Sequence, residues 1–220
     1  MTPDPFPPVP PDGSPSVRTR VKICGITTPH DALLAQSAGA DAIGMIFAPR
    51  SARLVSPAQA SAIVAALGPF ITKVGVFVDA DLGLVEQLVD ELRLDAVQLH
   101  GAESPEYAAA LTPRTKVVRA LRFADAPTPT AVDGFPADAF LLDGAVPGSG
   151  TVFDWSAAAA WRGHPRLVLA GGLTPVNVAE AIAALRPYAV DVASGVESSP
   201  RTKDPATVRR FIAEAGRATS

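Results

Sequence analysis

Residues 21–47 read VKICGITTPHDALLAQSAGADAIGMIF, and this stretch decides the fold. An apolar run over 21–25 predicts a strand, the spacing over 29–38 predicts a helix, and a second apolar run over 41–47 predicts another strand. Pro29 suits the first turn of a helix, because its missing N–H would be unpaired there in any case. A strand, a helix and a strand in this order form a unit that pairs its two strands in parallel.

The same alternation continues along the chain. Further strands are predicted over 73–78, 96–99, 116–121, 139–143, 167–170 and 190–193, and further helices over 57–67, 84–92, 104–111, 155–161, 175–185 and 205–215. Pro127 and Pro129 follow the fifth strand and oppose a regular helix there. We therefore predict an α/β fold, a single (β/α)8 TIM barrel with a degenerate fifth helix. An open doubly wound sheet is the alternative, but no G-x-G-x-x-G follows the first strand to support a dinucleotide fold.

Composition limits the classes of function. The 220 residues suffice for one domain with a full core, 48% of them are hydrophobic, and the net charge of -3 argues against a nucleic-acid partner. No apolar run approaches the roughly 20 residues that a membrane span needs. The single cysteine fits a reducing compartment, so we expect a cytoplasmic protein. Residues 1–19 are rich in proline, lack a signal-peptide pattern and are predicted to be a mobile extension before a catalytic domain over 20–220.

Two glycine-containing turns follow the last two strands. Gly171 and Gly172 come after the seventh strand, and Ser194 and Gly195 come after the eighth. Glycine lets backbone N–H groups approach an anion, and these two loops often bind phosphate in such barrels. One such turn would indicate only a tight connection, whereas two at neighbouring strands favour a phosphate site. The glycine cluster at 148–150 fits equally well a loop that orders over a ligand and an ordinary flexible loop.

Cys24 and Asp143 end the first and sixth strands, so both should lie at the mouth of the barrel, where enzymes of this fold have their active sites. A lone cysteine is most often a small buried hydrophobe, and a strand-end aspartate can cap the next helix. A thiolate can also be a general base, and a partly buried carboxyl group can be a general acid. Together across one mouth, the two residues suggest a proton shift on a phosphorylated substrate.

Arg53 and His100 are weaker candidates. A guanidinium can bind a carboxylate through two hydrogen bonds, but a loop arginine is more often a solvated charge. A strand-end histidine can orient a substrate oxygen, but it is more often structural. Asp79, Arg119 and Arg122 also lie near strand ends and receive no role. The three histidines are far apart in sequence, and with one cysteine no metal-ligand spacing is visible, so no metal is expected.

Seven blocks of sequence occur in an order that is typical of one enzyme family. They are KICGIT at 22–27, GADAIG at 39–44 with IF at 46–47, VQLHG at 97–101, LLD at 141–143, GSG at 148–150 with FDW at 153–155, LAGGL at 169–173, and VDVASGVE at 190–197 leading to KD at 203–204. Any one block could arise by chance, but the ordered set covers about residues 20–215 and is highly specific. The set resembles the phosphoribosylanthranilate isomerases.

The resemblance implies a cofactor-free aldose–ketose isomerase of tryptophan biosynthesis. Such an enzyme converts N-(5-phosphoribosyl)anthranilate into 1-(2-carboxyphenylamino)-1-deoxyribulose 5-phosphate by an Amadori rearrangement, with general acid–base catalysis. By position, Cys24 would be the base at C2 of the ribose and Asp143 the acid at the ring oxygen. Arg53 would hold the anthranilate carboxylate, and His100 would line the mouth in a supporting role. The two glycine turns would bind the phosphate, and the protein would be a monomer or a homodimer.

Two positions depart from the family pattern, and other functions remain open from the residues alone. Ala52 stands where proline is usual, in the loop that carries Arg53, and Arg201 stands where glycine is common. A sugar-phosphate epimerase would need metal-binding histidines and acids that this sequence does not assemble. A histidine-pathway isomerase would normally pair two aspartates, one of them where the first strand here has Cys24. A non-catalytic ligand-binding barrel would keep the glycine turns but lose the pair of Cys24 and Asp143.

Overall fold

Eight parallel strands close into a barrel in the order in which they occur in the chain, which confirms the predicted topology. The computed structural model describes residues 18–126, 128–144 and 155–218. The strands are β1 (Arg20–Cys24), β2 (Ala42–Ile46), β3 (Thr72–Phe77), β4 (Ala96–Leu99), β5 (Lys116–Arg122), β6 (Ala139–Asp143), β7 (Leu167–Ala170) and β8 (Ala189–Val192). Pairing of β1 with β8 closes the barrel, with Lys22 opposite Asp191 in the register. This closure brings residues from the two ends of the sequence side by side.

Helices cover the outside of the barrel, and most begin with a side-chain cap. They are α1 (Pro29–Ala38), α2 (Pro57–Ala66), α3 (Leu82–Leu92), α4 (Pro105–Leu111), α5 (Val178–Leu185) and α6 (Pro205–Arg217). A Ser, Thr or Asp side chain accepts a hydrogen bond from a backbone N–H of the first turn in five of them, and Pro occupies the first turn in four of these five. No helix in the described ranges is long and apolar enough to cross a membrane.

The connection after β5 is irregular, as the sequence predicts. It contains two short 3₁₀ turns, Phe123–Asp125 and Pro129–Val132, in place of a helix. The connection after β6 also lacks an α-helix among its described residues, because Trp155–Trp161 is a 3₁₀ segment with a kink at Ala158. The indole Nε1 of the fully buried Trp161 donates to the carbonyl of Ala126 at 3.0 Å, which ties the two irregular connections together.

Three features differ from the sequence-based expectations or lie outside the described residues. The helix after β7 begins at Val178 instead of residue 175, because the Asn177 side chain accepts from the N–H of Thr174 and donates to the carbonyl of Gly172, which holds this segment as a turn. Most of the predicted extension over 1–19 lies outside the described residues. The glycine cluster at 148–150 also lies outside them.

The loop after β8 contains a small antiparallel hairpin that the sequence did not predict. Its strands are β9 (Glu197–Ser199) and β10 (Thr202–Lys203). Arg201 sits at the tip with φ of 74°, a left-handed conformation that glycine adopts without strain. A positive φ at this position would favour glycine, the residue that the resemblance to the family implies here. The side chain of Thr27 donates to the Arg201 carbonyl at 3.1 Å and fastens the tip to the loop after β1.

Successive side chains along β1 alternate between the apolar core outside the strands and the interior of the barrel, where the site lies. Val21 and Ile23 belong to the main apolar core, which lies between the strands and the helices. Successive side chains of a strand point to opposite faces, so Lys22 and Cys24 point into the barrel. A separate, smaller apolar cluster comes from β5 to β8 and consists of Ala120, Leu141, Val168, Ala170 and Ala189. The interior therefore combines small apolar residues with a few buried polar ones.

Gly39 and Gly216 provide a matched test of the claim that a positive φ requires glycine. Gly39 ends α1 with φ of 95°, whereas Gly216 lies near the end of α6 and has open space where a Cβ would stand. Gly39→Ala should lower the free energy of unfolding by about 1 kcal/mol or more, because alanine resists a positive φ. Gly216→Ala should raise it by about 0.4–1 kcal/mol, since it restricts the unfolded chain. Urea denaturation of both variants checks this, and a Gly39→Ala protein as stable as the parent would contradict it.

Candidate active site

A buried ion pair lies inside the barrel below its mouth. The Nζ of Lys22 is 3.0 Å from Oδ1 of Asp191 on β8 and 2.9 Å from Oε1 of Gln98 on β4. All three residues are at least 90% buried. Burial by itself lowers the pKa of Lys22, but the negative charge and the hydrogen bond of Asp191, with a further contribution from Cys24, outweigh it, and the net shift is upward. Lys22 is therefore an ammonium ion held in the interior.

Cys24 lies at the end of β1, against this ammonium. Its side chain lies beside that of Lys22, because both are close to the same glycine of the neighbouring strand. Gly44 on β2 makes the space for both side chains, since a Cβ there would come within 2.7 Å of the Cys24 Sγ and 3.1 Å of the Lys22 Nζ. Burial raises the pKa of Cys24, Asp191 raises it further, and the ammonium groups of Lys22 and Lys203 act against both. The net shift is upward, so the resting state at neutral pH is the thiol.

The side chains of Asp143 and His100 lie close together at the mouth of the barrel. Asp143 ends β6, His100 directly follows β4, and their side chains are 29% and 37% exposed. The Nε2 of His100 is 3.9 Å from Oδ2 of Asp143, and its Nδ1 is 2.9 Å from Nε2 of Gln98. Partial burial lowers the pKa of His100, although the charge of Asp143 acts in the opposite direction. Gln98 thus links this pair to the buried ammonium of Lys22.

Arg53 forms a bidentate ion pair that the sequence did not predict. Its Nε and one terminal nitrogen are each 2.7 Å from the two carboxylate oxygens of Glu197 on β9. Lys203 on β10, whose side chain is fully buried, also contacts Glu197 at 3.0 Å and donates to the carbonyl of Ala193. Burial raises the pKa of Glu197, but hydrogen bonds from Arg53 and Lys203 outweigh this and bring the pKa below its usual value. The hairpin after β8 therefore holds Arg53 in place.

The two glycine turns need glycine for different reasons, backbone conformation in the first and close packing in the second. Gly171 and Gly172 have φ of 90° and 67°, and the space beside Gly172 is open where a Cβ would stand. Ser194–Val196 forms a 3₁₀ turn, and a Cβ on Gly195 would overlap the carbonyl oxygen of Leu173 in the neighbouring loop. Since β7 and β8 are adjacent, the two turns lie side by side at the mouth.

Two of the strand-end residues without a predicted role, Asp79 and Arg119, form a structural network with Glu103, which sequence reasoning missed. The Glu103 carboxylate accepts from the backbone N–H groups of Asp79 and Gly101, each at 2.9 Å, and from Arg119 at 2.7 Å. Asp79 accepts from the N–H of Ala102. The network fastens the loops after β3 and β4. Within the described residues, no group of three or more His, Cys, Asp or Glu side chains could hold a metal ion.

The arrangement suits chemistry on a small anionic substrate. A thiol and a carboxyl group, both able to exchange protons, belong to strands on different sides of one mouth. A guanidinium and a pair of glycine turns supply sites for two further negative groups. Asp191, Gln98, Glu197 and Lys203 complete the site. Three of these residues lie inside the matched sequence blocks and Lys203 opens the last pair, yet only the structure shows what they contact.

Comparisons with known proteins agree with this geometry. The family model of N-(5'-phosphoribosyl)anthranilate (PRA) isomerase matches residues 21–214. The isomerase of Citrifermentans bemidjiense is 50% identical over 201 residues, which are 90% of this chain and 97% of that protein. That of Geobacter sulfurreducens is 48% identical over 200 residues, covering 89% and 98%.

Solved structures of these isomerases have the same fold. The enzyme of Thermotoga maritima is 41% identical with a TM-score of 0.81, and the alignment covers 90% of this chain and 98% of that one. The enzyme of Thermus thermophilus is 45% identical with a TM-score of 0.81, covering 89% and 98%. A further structure, 40% identical with a TM-score of 0.78 and covering 90% and 98%, contains reduced 1-(o-carboxyphenylamino)-1-deoxyribulose 5-phosphate.

The ionisation of Cys24 provides a test of the site's electrostatics. Because Cys24 is the only cysteine, subtracting the ultraviolet titration of Cys24→Ser isolates its thiolate absorbance. The midpoint should lie above about 8.5, the ordinary pKa of a free cysteine, since burial opposes the charge. Asp191→Asn should lower the midpoint, because it removes a negative charge near the thiol. A midpoint below the ordinary value in the parent protein would contradict the description.

Proposed function

We infer the roles of the site residues from one premise: the chain belongs to the N-(5'-phosphoribosyl)anthranilate isomerase family. The protein is thus an isomerase of tryptophan biosynthesis that converts N-(5-phosphoribosyl)anthranilate into 1-(2-carboxyphenylamino)-1-deoxyribulose 5-phosphate. We propose that Asp143 is the general acid and Cys24 the general base. The observation that carries this assignment is the placement of the two groups on β1 and β6, at one mouth, with the buried Lys22 beside the thiol.

Asp143 begins the reaction in this scheme. Its carboxyl group donates a proton to the ring oxygen of the ribose as the bond between C1 and that oxygen breaks. The lone pair of the anthranilate nitrogen forms a double bond to C1, which gives an open-chain iminium ion. The side chain of Asp143 is 29% exposed, so it can contact a substrate in the mouth without leaving its strand end.

Cys24 then removes the proton from C2. The electron pair of the C2–H bond forms the C1–C2 double bond, and the iminium electrons return to nitrogen, which gives an enolamine. The C2 hydroxyl becomes the carbonyl of the product as C1 takes up a proton. This step needs the thiolate, so the thiol first releases its proton to water, and the adjacent Lys22 ammonium stabilises the thiolate against the cost of burial. The free-energy cost of forming the thiolate thus depends on the charges of Lys22, Lys203 and Asp191.

The substrate's two anionic ends fit the remaining groups. We propose that the turns at 171–172 and 194–195 bind the phosphate through backbone N–H groups. Arg53 would bind the anthranilate carboxylate at the part of its guanidinium that faces away from Glu197, with the bidentate ion pair fixing its plane. His100 would line the mouth beside Asp143.

We also propose the setting in which the protein works. It acts in the cytoplasm on a small phosphorylated substrate, with no nucleic-acid or membrane partner, which agrees with its net charge of -3. It would be a monomer or a homodimer. One solved relative from Thermotoga maritima, 39% identical with a TM-score of 0.78 and covering 90% of this chain and 98% of that one, is described as monomers generated from a dimeric isomerase. The catalytic barrel would span 20–220, with 1–19 as an extension that chemistry does not require.

The acid–base assignment is tested by kinetics on freshly made phosphoribosylanthranilate, followed by the loss of its fluorescence. Cys24→Ala and Asp143→Asn should each lower kcat by about a hundredfold or more, because each removes one proton-transfer group. KM should change little, since neither group is proposed to bind the phosphate or the carboxylate. Asp133→Asn, which makes the same change at an exposed position, is the matched control. Full activity of Asp143→Asn would overturn the general-acid assignment.

A further inference from the structure

We propose that Lys22 and Gln98 are positioning residues that make His100 present an N–H group, and never a lone pair, to Asp143. The general acid then cannot lose its proton to the imidazole beside it. The proposal rests on the role of Asp143 proposed above. The proposal follows from which atom donates and which accepts in a series of contacts. The series runs from Lys22 in the barrel interior through Gln98 to His100 at the mouth.

The first bond fixes the side-chain amide of Gln98. An ammonium group has only donors, so the Lys22 Nζ must face an acceptor. The atom 2.9 Å away is Oε1 of Gln98, and the atom 3.0 Å away is Oδ1 of Asp191. A Gln98 amide turned the other way would place its NH₂ group against the ammonium. Because Gln98 is 98% buried, water cannot relieve that conflict.

The second bond fixes the tautomer of His100. With Oε1 facing Lys22, the NH₂ group of Gln98 points to the imidazole, and its Nε2 is 2.9 Å from Nδ1 of His100. An NH₂ group offers only hydrogen atoms, so Nδ1 must be an acceptor. The neutral ring then carries its proton on Nε2. A doubly protonated ring would place an N–H group of His100 against an N–H group of Gln98.

The third contact gives the consequence for catalysis. The Nε2 of His100, which bears the proton, is 3.9 Å from Oδ2 of Asp143 and is the ring atom directed at the carboxyl group. The other tautomer would direct a lone pair there. An imidazole lone pair is a proton acceptor, so it would compete with the substrate for the acidic proton of Asp143. The fixed N–H instead stabilises the carboxylate that forms after Asp143 has protonated the substrate.

The charges around His100 agree with a neutral ring. Partial burial lowers its pKa, and Lys22 on β1 lowers it further. Asp143 on β6, Asp191 on β8 and Glu103 in the loop after β4 act in the opposite direction, and the net shift is downward. Lys22 therefore acts on His100 twice, through its charge and through the orientation of Gln98.

Gln98→Glu reverses the second bond with almost no change in shape. The introduced carboxylate still accepts from Lys22, but toward His100 it also accepts, so Nδ1 should gain a proton and the pKa of His100 should rise. ¹⁵N NMR of protein labelled at histidine reads both ring nitrogens, and His100→Asn identifies the signals of this ring among the three histidines. We expect unprotonated Nδ1 and protonated Nε2 in the parent protein near neutral pH, and protonated Nδ1 in Gln98→Glu.

Kinetics of the same variants separate positioning from folding. Gln98→Glu should lower kcat about tenfold or more with KM within about twofold, because Asp143 would lose its proton to the altered ring. Gln87→Glu makes the same change on the exposed side of α3 and should leave kcat unchanged. Gln98→Met, which removes the amide without adding a charge, should give a mixture of the two tautomers and an intermediate kcat.

The outcomes distinguish this proposal from the acid–base assignment. Protonated Nδ1 on His100 in the parent protein would overturn the tautomer proposal, whatever the kinetics of Asp143→Asn. An unchanged kcat for Gln98→Glu, with Nδ1 protonated as expected, would show that the tautomer does not matter to catalysis and would also overturn it. Full activity of Asp143→Asn would instead remove the role of Asp143 on which the proposal depends.

Discussion

The ion pair between Lys22 and Asp191 is the interaction on which the rest of the site depends. A single buried charge costs several kcal/mol, so each partner requires the other to remain in the interior. Closure of the barrel through β1 and β8 brings the two residues together across 169 positions of sequence. The ammonium then orients Gln98 and stands beside Cys24, while Gly44 leaves the space that the two side chains of β1 occupy.

At Cys24 and Glu197, burial raises the pKa, whereas neighbouring positive charges lower it. Burial keeps the Cys24 thiol protonated at rest, and the nearby ammonium groups limit the cost of forming the thiolate. Glu197 stays ionised because Arg53 and Lys203 both contact it, which turns the loop after β8 into a support for a residue of the loop after β2. A rigid guanidinium loses little freedom when a carboxylate binds, so the ion pair prepares the site for the substrate.

Sequence reasoning located the mouth of the barrel better than the groups beneath it. The eight strands, the irregular fifth connection, and the strand ends with Cys24 and Asp143 follow from apolar periodicity and from the chemistry of turn residues. Asp191 and Gln98 were not selected, because a polar residue within an apolar strand gives no sign of its partner until the register is known. The late start of α5 and the hairpin after β8 depend on side-chain bonds of Asn177 and Glu197 that have no periodic signature.

The most direct test of this account is a crystal structure of the protein with reduced 1-(o-carboxyphenylamino)-1-deoxyribulose 5-phosphate, the ligand found in a solved relative. We predict the phosphate on the turns at 171–172 and 194–195, and the anthranilate carboxylate within hydrogen-bonding distance of Arg53. Cys24 and Asp143 should contact the sugar chain from different sides, with the Cys24 Sγ against C2. A phosphate bound elsewhere, or a thiol with no contact to C2, would contradict the account.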